Sequence, residues 1–276
     1  MTPPSPALRP YVWSYGMTTG RVDHVPLVVP LPARPKQLMT FFFADRYGVY
    51  DPATSKRNLH PRTIVVGPQT ESQAGISVLG RIDNFTVHFQ PSGFNQLFGI
   101  PMTELTDTAC DAHAVIQRHI FALEHELEDA PGFAAKIAVV ERHLIAVLAG
   151  RPRPDLVARA ANYLFASHGR ERVLTVAADA GLSVRHFERR FLAQVGVTPK
   201  LYARIIRFNA ALDGKLQSPE RAWTQIAQDR EYHDQMHLLR DCREFTGLSP
   251  SQFLARLAGL TPFHTLFASA DRARAG

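Results

Sequence analysis

Hydrophobic residues in the first 110 positions fall into short runs separated by turn-forming residues. The runs are rich in β-branched and aromatic side chains, and proline, glycine or aspartate stands between them. They are Tyr11–Tyr15, His24–Leu31, Gln37–Phe43, Thr63–Val66, Gly75–Leu79 and Asp83–Phe89. Many short strands with frequent turn signals predict a β-sandwich or a β-barrel over residues 1–110.

A different period follows over residues 113–149. Hydrophobic residues there recur three and four positions apart, which is the spacing of one helix face. Pro131-Gly132 interrupts the pattern, so it predicts two helices joined by a tight turn. Two interpretations of the hydrophobic faces stay open. Both faces pack on their own domain, or one of them contacts a second copy of the chain.

The helical pattern stops at Gly150-Arg-Pro-Arg-Pro154. Alternating proline disfavours a helix and extends the chain, so this segment predicts a linker. The chain has 276 residues, which is long enough for roughly two domains. We therefore predict an N-terminal domain over 1–150 that combines a β-barrel (1–110) with a helical hairpin (113–149).

Charge differs between the two sides of this linker. Residues 1–150 hold 12 Lys and Arg against 13 Asp and Glu, whereas residues 151–276 hold 19 against 12. The formal net charge of +6 therefore comes entirely from the C-terminal part. A basic excess confined to one part of a chain indicates an anionic partner for that part.

The basic part contains an internal repeat. Gly196-Val-Thr-Pro199 recurs 51 residues later as Gly247-Leu-Ser-Pro250, and Arg189 matches Arg240 at the same offset. A fixed offset of this length is typical of a duplicated supersecondary unit.

Each copy of the repeat predicts a helix, a turn and a second helix. In the first copy, Gly181 suits a left-handed turn and Ser183 is a favourable N-cap. In the second copy, Asp234 is the N-cap. Proline after each copy starts a further helix, because its first position tolerates proline. The predicted helices are Thr175–Ala180, Val184–Gln194, Pro199–Leu216, Trp223–Asp229 and a helix from Asp234 to about Phe245.

This pattern resembles the DNA-binding domain of the AraC/XylS family of bacterial transcription regulators. The resemblance covers about Asp155–Leu257 and is strongest from Tyr232 to Phe253. It implies an all-α domain with two helix-turn-helix units over 155–257, followed by a tail over 258–276. Double-stranded DNA is the implied partner, and RNA polymerase is a further candidate.

One residue departs from the family pattern. Glu231 stands in the turn of the second unit, where the family usually has glycine. A left-handed backbone at a non-glycine residue costs about 1 kcal/mol or more. We therefore expect strain or a slightly different turn in the second unit.

The second helix of a helix-turn-helix unit enters the major groove, where its outward side chains meet base edges. Arginine pairs with guanine, glutamine pairs with adenine, and apolar side chains contact thymine methyl groups. By resemblance, the base-reading positions are Arg185, Glu188, Arg189, Gln235, Met236, Leu239 and Arg240. For Arg189 and Arg240 the alternative is an ion pair with a nearby carboxylate. Two units on one chain predict two major-groove segments about 10 base pairs apart.

In this family the other domain usually senses a signal and mediates self-association. Residues 1–110 fit a cupin-like β-barrel, so the resemblance implies a small-molecule effector and a homodimer. The candidate effector-binding residues are Trp13, Phe41, Phe43 and Phe89. The alternative is that these aromatic side chains fill the core of the barrel. Candidate anchors for an acidic effector, among which the sequence does not choose, are Arg34, Lys36, Arg62 and Arg81.

No pattern in the sequence predicts catalysis or a cofactor. The N-terminal histidines lack the His-x-His spacing of a metal-binding cupin, so we expect no metal site. A nucleophile with its base and a glycine-rich phosphate loop are also missing from the sequence, so no catalytic residue is assigned. Cys110 and Cys242 are too few for a disulfide framework.

The sequence also lacks a signal peptide and a long apolar run, so we expect a cytoplasmic protein without membrane contact. Together these features predict a sequence-specific transcription regulator that a small-molecule effector controls. The alternative is a DNA-binding regulator whose N-terminal domain only dimerises or binds a protein partner.

Overall fold

The computed structural model of the chain describes residues 1–51, 56–151 and 153–258. The tail predicted over 258–276 lies outside these residues from position 259 onward. Within the described ranges, no helix combines the length and the hydrophobicity that crossing a bilayer requires.

The N-terminal residues form one antiparallel sheet of seven strands, which is shaped as a half-barrel. Two long strands, β1 (Val12–Leu31) and β6 (Gln73–Phe89), pair with each other along their length. The shorter strands are β2 (Leu38–Phe42), β3 (Gly48–Asp51), β4 (Lys56–Leu59), β5 (Thr63–Val66) and β7 (Ala109–Asp111). Their order is β4-β3-β6-β2-β5-β7, and β1 pairs with β6.

Each long strand joins two runs that the sequence separates. In β1, the break falls at a register shift between Val22 and Leu27, where His24 has a φ of 71°. In β6 it falls at Gly80, which has a φ of 89°. A backbone irregularity bends a strand without ending it, so these breakers mark bends and not turns between strands.

Helices cover one face of the sheet. They are α1 (Gly93–Phe98), α2 (Ala112–Ile116), α3 (Arg118–Asp129) and α4 (Gly132–Leu148), and a 3-10 turn spans Met102–Glu104. Leu127 of α3 and Leu144 of α4 share a core cluster with Phe41 of the sheet. Most hydrophobic positions of the hairpin therefore pack on their own domain, whereas Phe121 and Ile145 stay exposed.

Seven helices occupy the described residues from 153 to 258. They are α5 (Leu156–Ala166), α6 (Val173–Asp179), α7 (Val184–Val195), α8 (Pro199–Gln217), α9 (Trp223–Asp229), α10 (Gln235–Thr246) and α11 (Pro250–Leu257). The predicted fold class is confirmed, because a half-barrel sheet with a helical hairpin precedes an all-α region with two helix-turn-helix units.

The sheet and the C-terminal helices share a hydrophobic core. One cluster contains Leu31 and Tyr47 of the sheet side together with Phe208 and Phe245 of the helices. Next to it, the backbone N–H of Ala33 donates to the carbonyl oxygen of Phe245 at 2.7 Å. The end of β1 is therefore docked onto the end of α10.

Candidate DNA-reading surface and half-barrel cavity

Helix α7 of the first unit has one buried and one exposed face. Phe187 and Phe191 are completely buried against α5 and α6. Arg185, Glu188 and Arg189 are exposed. The ion pairs of the described residues include neither of these two arginines, so the alternative of an ion pair for Arg189 is not found there.

Helix α10 of the second unit has the same division. Leu238 is buried, while Met236 and Arg240 are exposed and Gln235 and Leu239 are half-buried. The ion pairs that the structure describes leave out Arg240 as well. The outer faces of both helices thus present donors and apolar groups that can approach a groove.

Two other arginines form ion pairs between helices, one between α7 and the start of α5 and the other between α8 and α10. Arg190 donates to Asp155, whose side chain also caps α5. Arg204 on α8 donates to Asp241 at 2.7 Å and to Glu244 at 2.6 Å. Hydrogen bonds to Glu244 and Asp241 raise the pKa of Arg204. These charges are engaged within the protein, which separates them from the exposed arginines of the outer faces.

The turns of the two units have the same backbone conformation. Gly181 has a φ of 64° in the first unit, and Glu231 has a φ of 55° at the matching place in the second. This left-handed conformation costs an L-residue about 1 kcal/mol or more. The second turn therefore keeps the geometry of the first and carries the strain expected from its sequence.

Three potential metal ligands lie together at the start of α10. Ligand atoms of His233, Asp234 and His237 are within 4.8 Å of one another, and all three residues are exposed. The Asp234 carboxylate accepts the backbone N–H of His237 at 2.8 Å and lies 3.2 Å from each imidazole. Hydrogen bonds from His237 and His233 lower the pKa of Asp234. Helix capping therefore accounts for this group.

The half-barrel contains a cavity of about 130 Å³ that is partly open to the surface. Apolar residues from several strands form much of its wall, namely Leu31, Leu38, Phe42, Ile64, Val66 and Ile76. Arg34, Lys36, His60 and His88 also line it. The sheet therefore surrounds an apolar space in which basic side chains are concentrated.

The predicted effector-binding residues Trp13, Phe41, Phe43 and Phe89 are not among those that line this cavity. Phe41 and Phe89 are buried in the core between the sheet and the hairpin, and Phe43 packs against that core. Successive residues of a strand face opposite sides. Their neighbours Phe42 and His88 therefore face the cavity instead.

Trp13 lies at the junction with the C-terminal helices. Its ring contacts Phe165 of α5 edge to face, with 6.0 Å between ring centroids. The Lys36 ammonium lies 4.8 Å from the centre of the Trp13 ring. Trp13 thus supports a residue that lines the cavity without lining it itself.

The structure distinguishes the four candidate basic anchors. Arg34 and Lys36 line the cavity, whereas Arg62 pairs with Glu128 on the exterior at 2.7 Å and Arg81 is exposed. The sequence held no signal for this difference, because strands β2 to β6 had to be paired before the enclosed face was known.

Burial shapes the charge of the cavity. It lowers the pKa of Arg34 to about 10. It lowers the pKa of Lys36 to about 8, against the opposing effect of the Asp213 carboxylate. Burial and the charges of Lys36 and Arg34 lower the pKa of His88 to about 3. Burial also lowers the pKa of His60, so at neutral pH the cavity holds two cationic side chains and two neutral histidines.

Comparison with known protein families finds a separate match in each part of the chain. Residues 176–256 match a family model described as a helix-turn-helix domain. Residues 1–111 match a domain of unknown function (DUF6597). No curated protein matches the chain.

Several solved structures are similar to the chain. ToxT from Vibrio cholerae O395 is 12% identical, with coverage of 89% of this chain and 99% of ToxT and a TM-score of 0.46. ToxT bound to (E)-4-(8-methylnaphthalen-1-yl)but-3-enoic acid is 12% identical, with coverage of 88% and 99% and a TM-score of 0.47. The DNA-binding domain of AdpA in complex with a target DNA is 25% identical, with coverage of 40% and 98% and a TM-score of 0.35. At these TM-scores the likenesses carry no argument about contacts or ligands.

The family match extends from α6 to α11 and so includes both helix-turn-helix units. It confirms the resemblance that the repeat and its flanking motifs indicated. The chain therefore carries an AraC-type helix-turn-helix domain in its C-terminal part.

Proposed function

We propose that the chain is a sequence-specific transcription regulator whose half-barrel cavity accepts a small-molecule effector. The observation that carries the DNA-binding part of this proposal is the contrast between two sets of arginines, and the basic lining of the cavity supports the effector part. Arg190 and Arg204 are engaged with carboxylates inside the domain. Arg189 and Arg240 are exposed at matching positions of the two units.

Each candidate base reader has a distinct chemical role in this proposal. Arg189 and Arg240 each donate two hydrogen bonds to guanine, and Gln235 pairs with adenine. Arg185 reaches a base or a phosphate from the first turn of α7, and Glu188 accepts from cytosine. Met236 and Leu239 contact thymine methyl groups.

Helix α8 supports a defined spacing of the two units. It extends from Pro199 to Gln217 and connects α7 of the first unit to α9 of the second. Arg204 of α8 is bonded to Asp241 of α10. A rigid connection of this kind favours two binding segments in successive major grooves, about 10 base pairs apart.

In vitro selection of DNA with the full-length protein tests this function. We expect a consensus with two elements about one helical turn apart, and an affinity that falls steeply with salt because phosphate contacts release counterions. Selected pools without a consensus, or an affinity independent of salt, would contradict it. The symmetry of the selected site also reports whether one or two chains bind.

A second possibility is that the N-terminal domain only dimerises or binds a protein. It is supported by the exposed hydrophobic residues of the hairpin, of which Phe121 is 67% exposed and Ile145 is 45% exposed. Sedimentation of the full-length protein and of Phe121→Ser distinguishes the two roles. A dimer that the substitution dissociates favours the hairpin as the contact between copies.

We propose domains over 1–150 and 155–257, a homodimer as the active form and the cytoplasm as its location. RNA polymerase is the further partner that an activator of this kind would contact.

A further inference from the structure

We propose that the cavity of the half-barrel binds a small organic anion, a carboxylate with an apolar body. Arg34 binds the charged group, and Lys36 is shared between this anion and Asp213 of the DNA-binding domain. The inference rests on the proposed function, because it names the chemical class of its effector.

Arg34 is positioned for a ligand, because one donor of its guanidinium is buried and unbonded. The residue is 8% exposed, and its Nε atom makes no hydrogen bond with the residues that the structure describes. Its backbone is held by two hydrogen bonds of 2.8 Å with Gln69. A buried cationic donor without a partner is costly, and a carboxylate matches the two-pronged geometry of a guanidinium.

Lys36 connects the cavity to the DNA-binding domain. It lines the cavity, and the charge of Asp213 acts on it from α8. Asp213 is itself buried, with 7% exposure. An anion that enters beside Lys36 competes with Asp213 for the same ammonium group. Binding is therefore coupled to the helix that joins the two DNA-reading units.

The apolar walls of the cavity indicate that the remainder of the ligand is apolar. Leu31, Phe42 and Ile76 surround the space, so a compound with only charge would leave them without apolar contact. His88 is neutral at physiological pH and adds no charge. The volume of about 130 Å³ leaves room for a small organic molecule.

The segment between β1 and β2 also contacts both units. Ala33 donates to Phe245 near the end of α10 and accepts from Asn209 of α8 at 2.9 Å. The Gln37 amide is 3.5 Å from the carbonyl oxygen of Val195 at the end of α7. A shift of this segment on ligand binding therefore reaches both reading helices.

The test compares three compounds on the full-length protein by calorimetric titration and thermal unfolding. Hexanoate has a carboxylate and an alkyl chain. Hexan-1-ol has an alkyl chain without a charge, and acetate has a carboxylate without a long alkyl chain. We expect hexanoate to bind at least tenfold more tightly than either of the others. Equal binding of hexanoate and hexan-1-ol, or no binding of hexanoate and octanoate at millimolar concentration, would overturn the proposal.

Single substitutions test the roles of Arg34 and Asp213 in hexanoate binding. Arg34→Gln should weaken hexanoate at least tenfold, whereas Arg81→Gln, which removes an exposed arginine of the same sheet, should leave it unchanged. Asp213→Asn should strengthen hexanoate severalfold, because it removes the competing carboxylate. A merely structural role would weaken binding in both variants, so weaker binding in Asp213→Asn counts against the shared Lys36. If Arg34→Gln does not fold, the three-compound comparison and Asp213→Asn still decide.

DNA binding without ligand is measured beside these titrations. If the protein selects no DNA consensus, the proposed function fails, whether or not a carboxylate binds to the cavity. If it selects DNA and no acid binds, only the anion site fails.

Discussion

At the scale of single residues, the proposed surface for base reading is distinguished by which arginines already form ion pairs within the protein. Arg190 and Arg204 serve the fold through Asp155 and Asp241. Arg240 keeps its guanidinium exposed on the outer face of α10. An exposed side chain loses little when it binds DNA and contributes most where a base edge accepts two hydrogen bonds.

Arg240→Ala should therefore relax the preference for one base and cost about 1–3 kcal/mol of binding free energy. The measurement is the affinity for the selected DNA and for its single-base variants. Arg243→Ala is the matched control, because it removes an exposed arginine from the same helix and should weaken all sequences alike. A base preference that stays intact in Arg240→Ala excludes Arg240 as a reader.

The backbone conformation of the turn residue Glu231 predicts that a glycine at this position stabilises the protein. Its φ of 55° is unfavourable for a side chain with a Cβ atom. Glu231→Gly should raise the free energy of unfolding by up to about 1 kcal/mol, because the relieved strain outweighs the extra entropy of glycine in the unfolded chain. Thermal unfolding measures the change. Glu220→Gly, in an exposed loop without positive φ, should bring no gain.

At the scale of elements, the helices of the DNA-binding region were predictable because several local signals agree. Ser183 and Asp234 cap α7 and α10 by accepting the N–H groups of His186 and His237. The amphipathic period then determines which side chains face outward. Strands β3, β4 and β7 were missed, because they lack the run of consecutive β-branched residues by which the equally short β5 was predicted.

The cavity could not be predicted for a related reason. The alternation along a strand shows that Phe41 and Phe42 face opposite sides. It does not show which side the helices cover and which side the sheet encloses. That choice depends on the long-range packing of the hairpin against Phe41, which no local pattern contains.

The glycines that end α7 and α10 have the same role in their helices but different surroundings, so their substitutions can be compared. Gly196 and Gly247 end α7 and α10 with φ values of 91° and 69°. A Cβ atom on Gly196 would lie 2.7 Å from Thr106 Oγ1 and 2.9 Å from the Met102 carbonyl oxygen, whereas none of the described atoms lies within 4 Å of one on Gly247. The N-terminal domain thus packs closely on the end of α7.

Gly247→Ala should cost about 1–2 kcal/mol of stability from its backbone conformation alone. Gly196→Ala should cost more, because the added methyl group also separates the two packed surfaces. Denaturant unfolding of both variants gives the comparison. Equal losses would mean that the N-terminal domain is not held against α7 in solution.

At the scale of the whole molecule, the half-barrel contacts both reading units at once. Thr106 donates to the carbonyl oxygen of Gly196 at 2.8 Å, and Ala33 bonds to Phe245 and Asn209. Any change in the cavity that moves these contacts changes the relative position of α7 and α10. A ligand has this effect only if it binds two arrangements with different affinity.

Thermodynamic linkage relates the effect of hexanoate on DNA binding to the effect of DNA on hexanoate binding. If hexanoate changes the affinity for the selected DNA by some factor, the DNA must change the affinity for hexanoate by the same factor. We expect that factor to be at least about 5 in the wild-type protein, which is the lower end of typical coupling. Asn209→Ala removes one docking bond without touching the cavity, and it should bring the factor closer to 1. Binding of both ligands with a factor of 1 in the wild type would show that the docked segment does not transmit the signal.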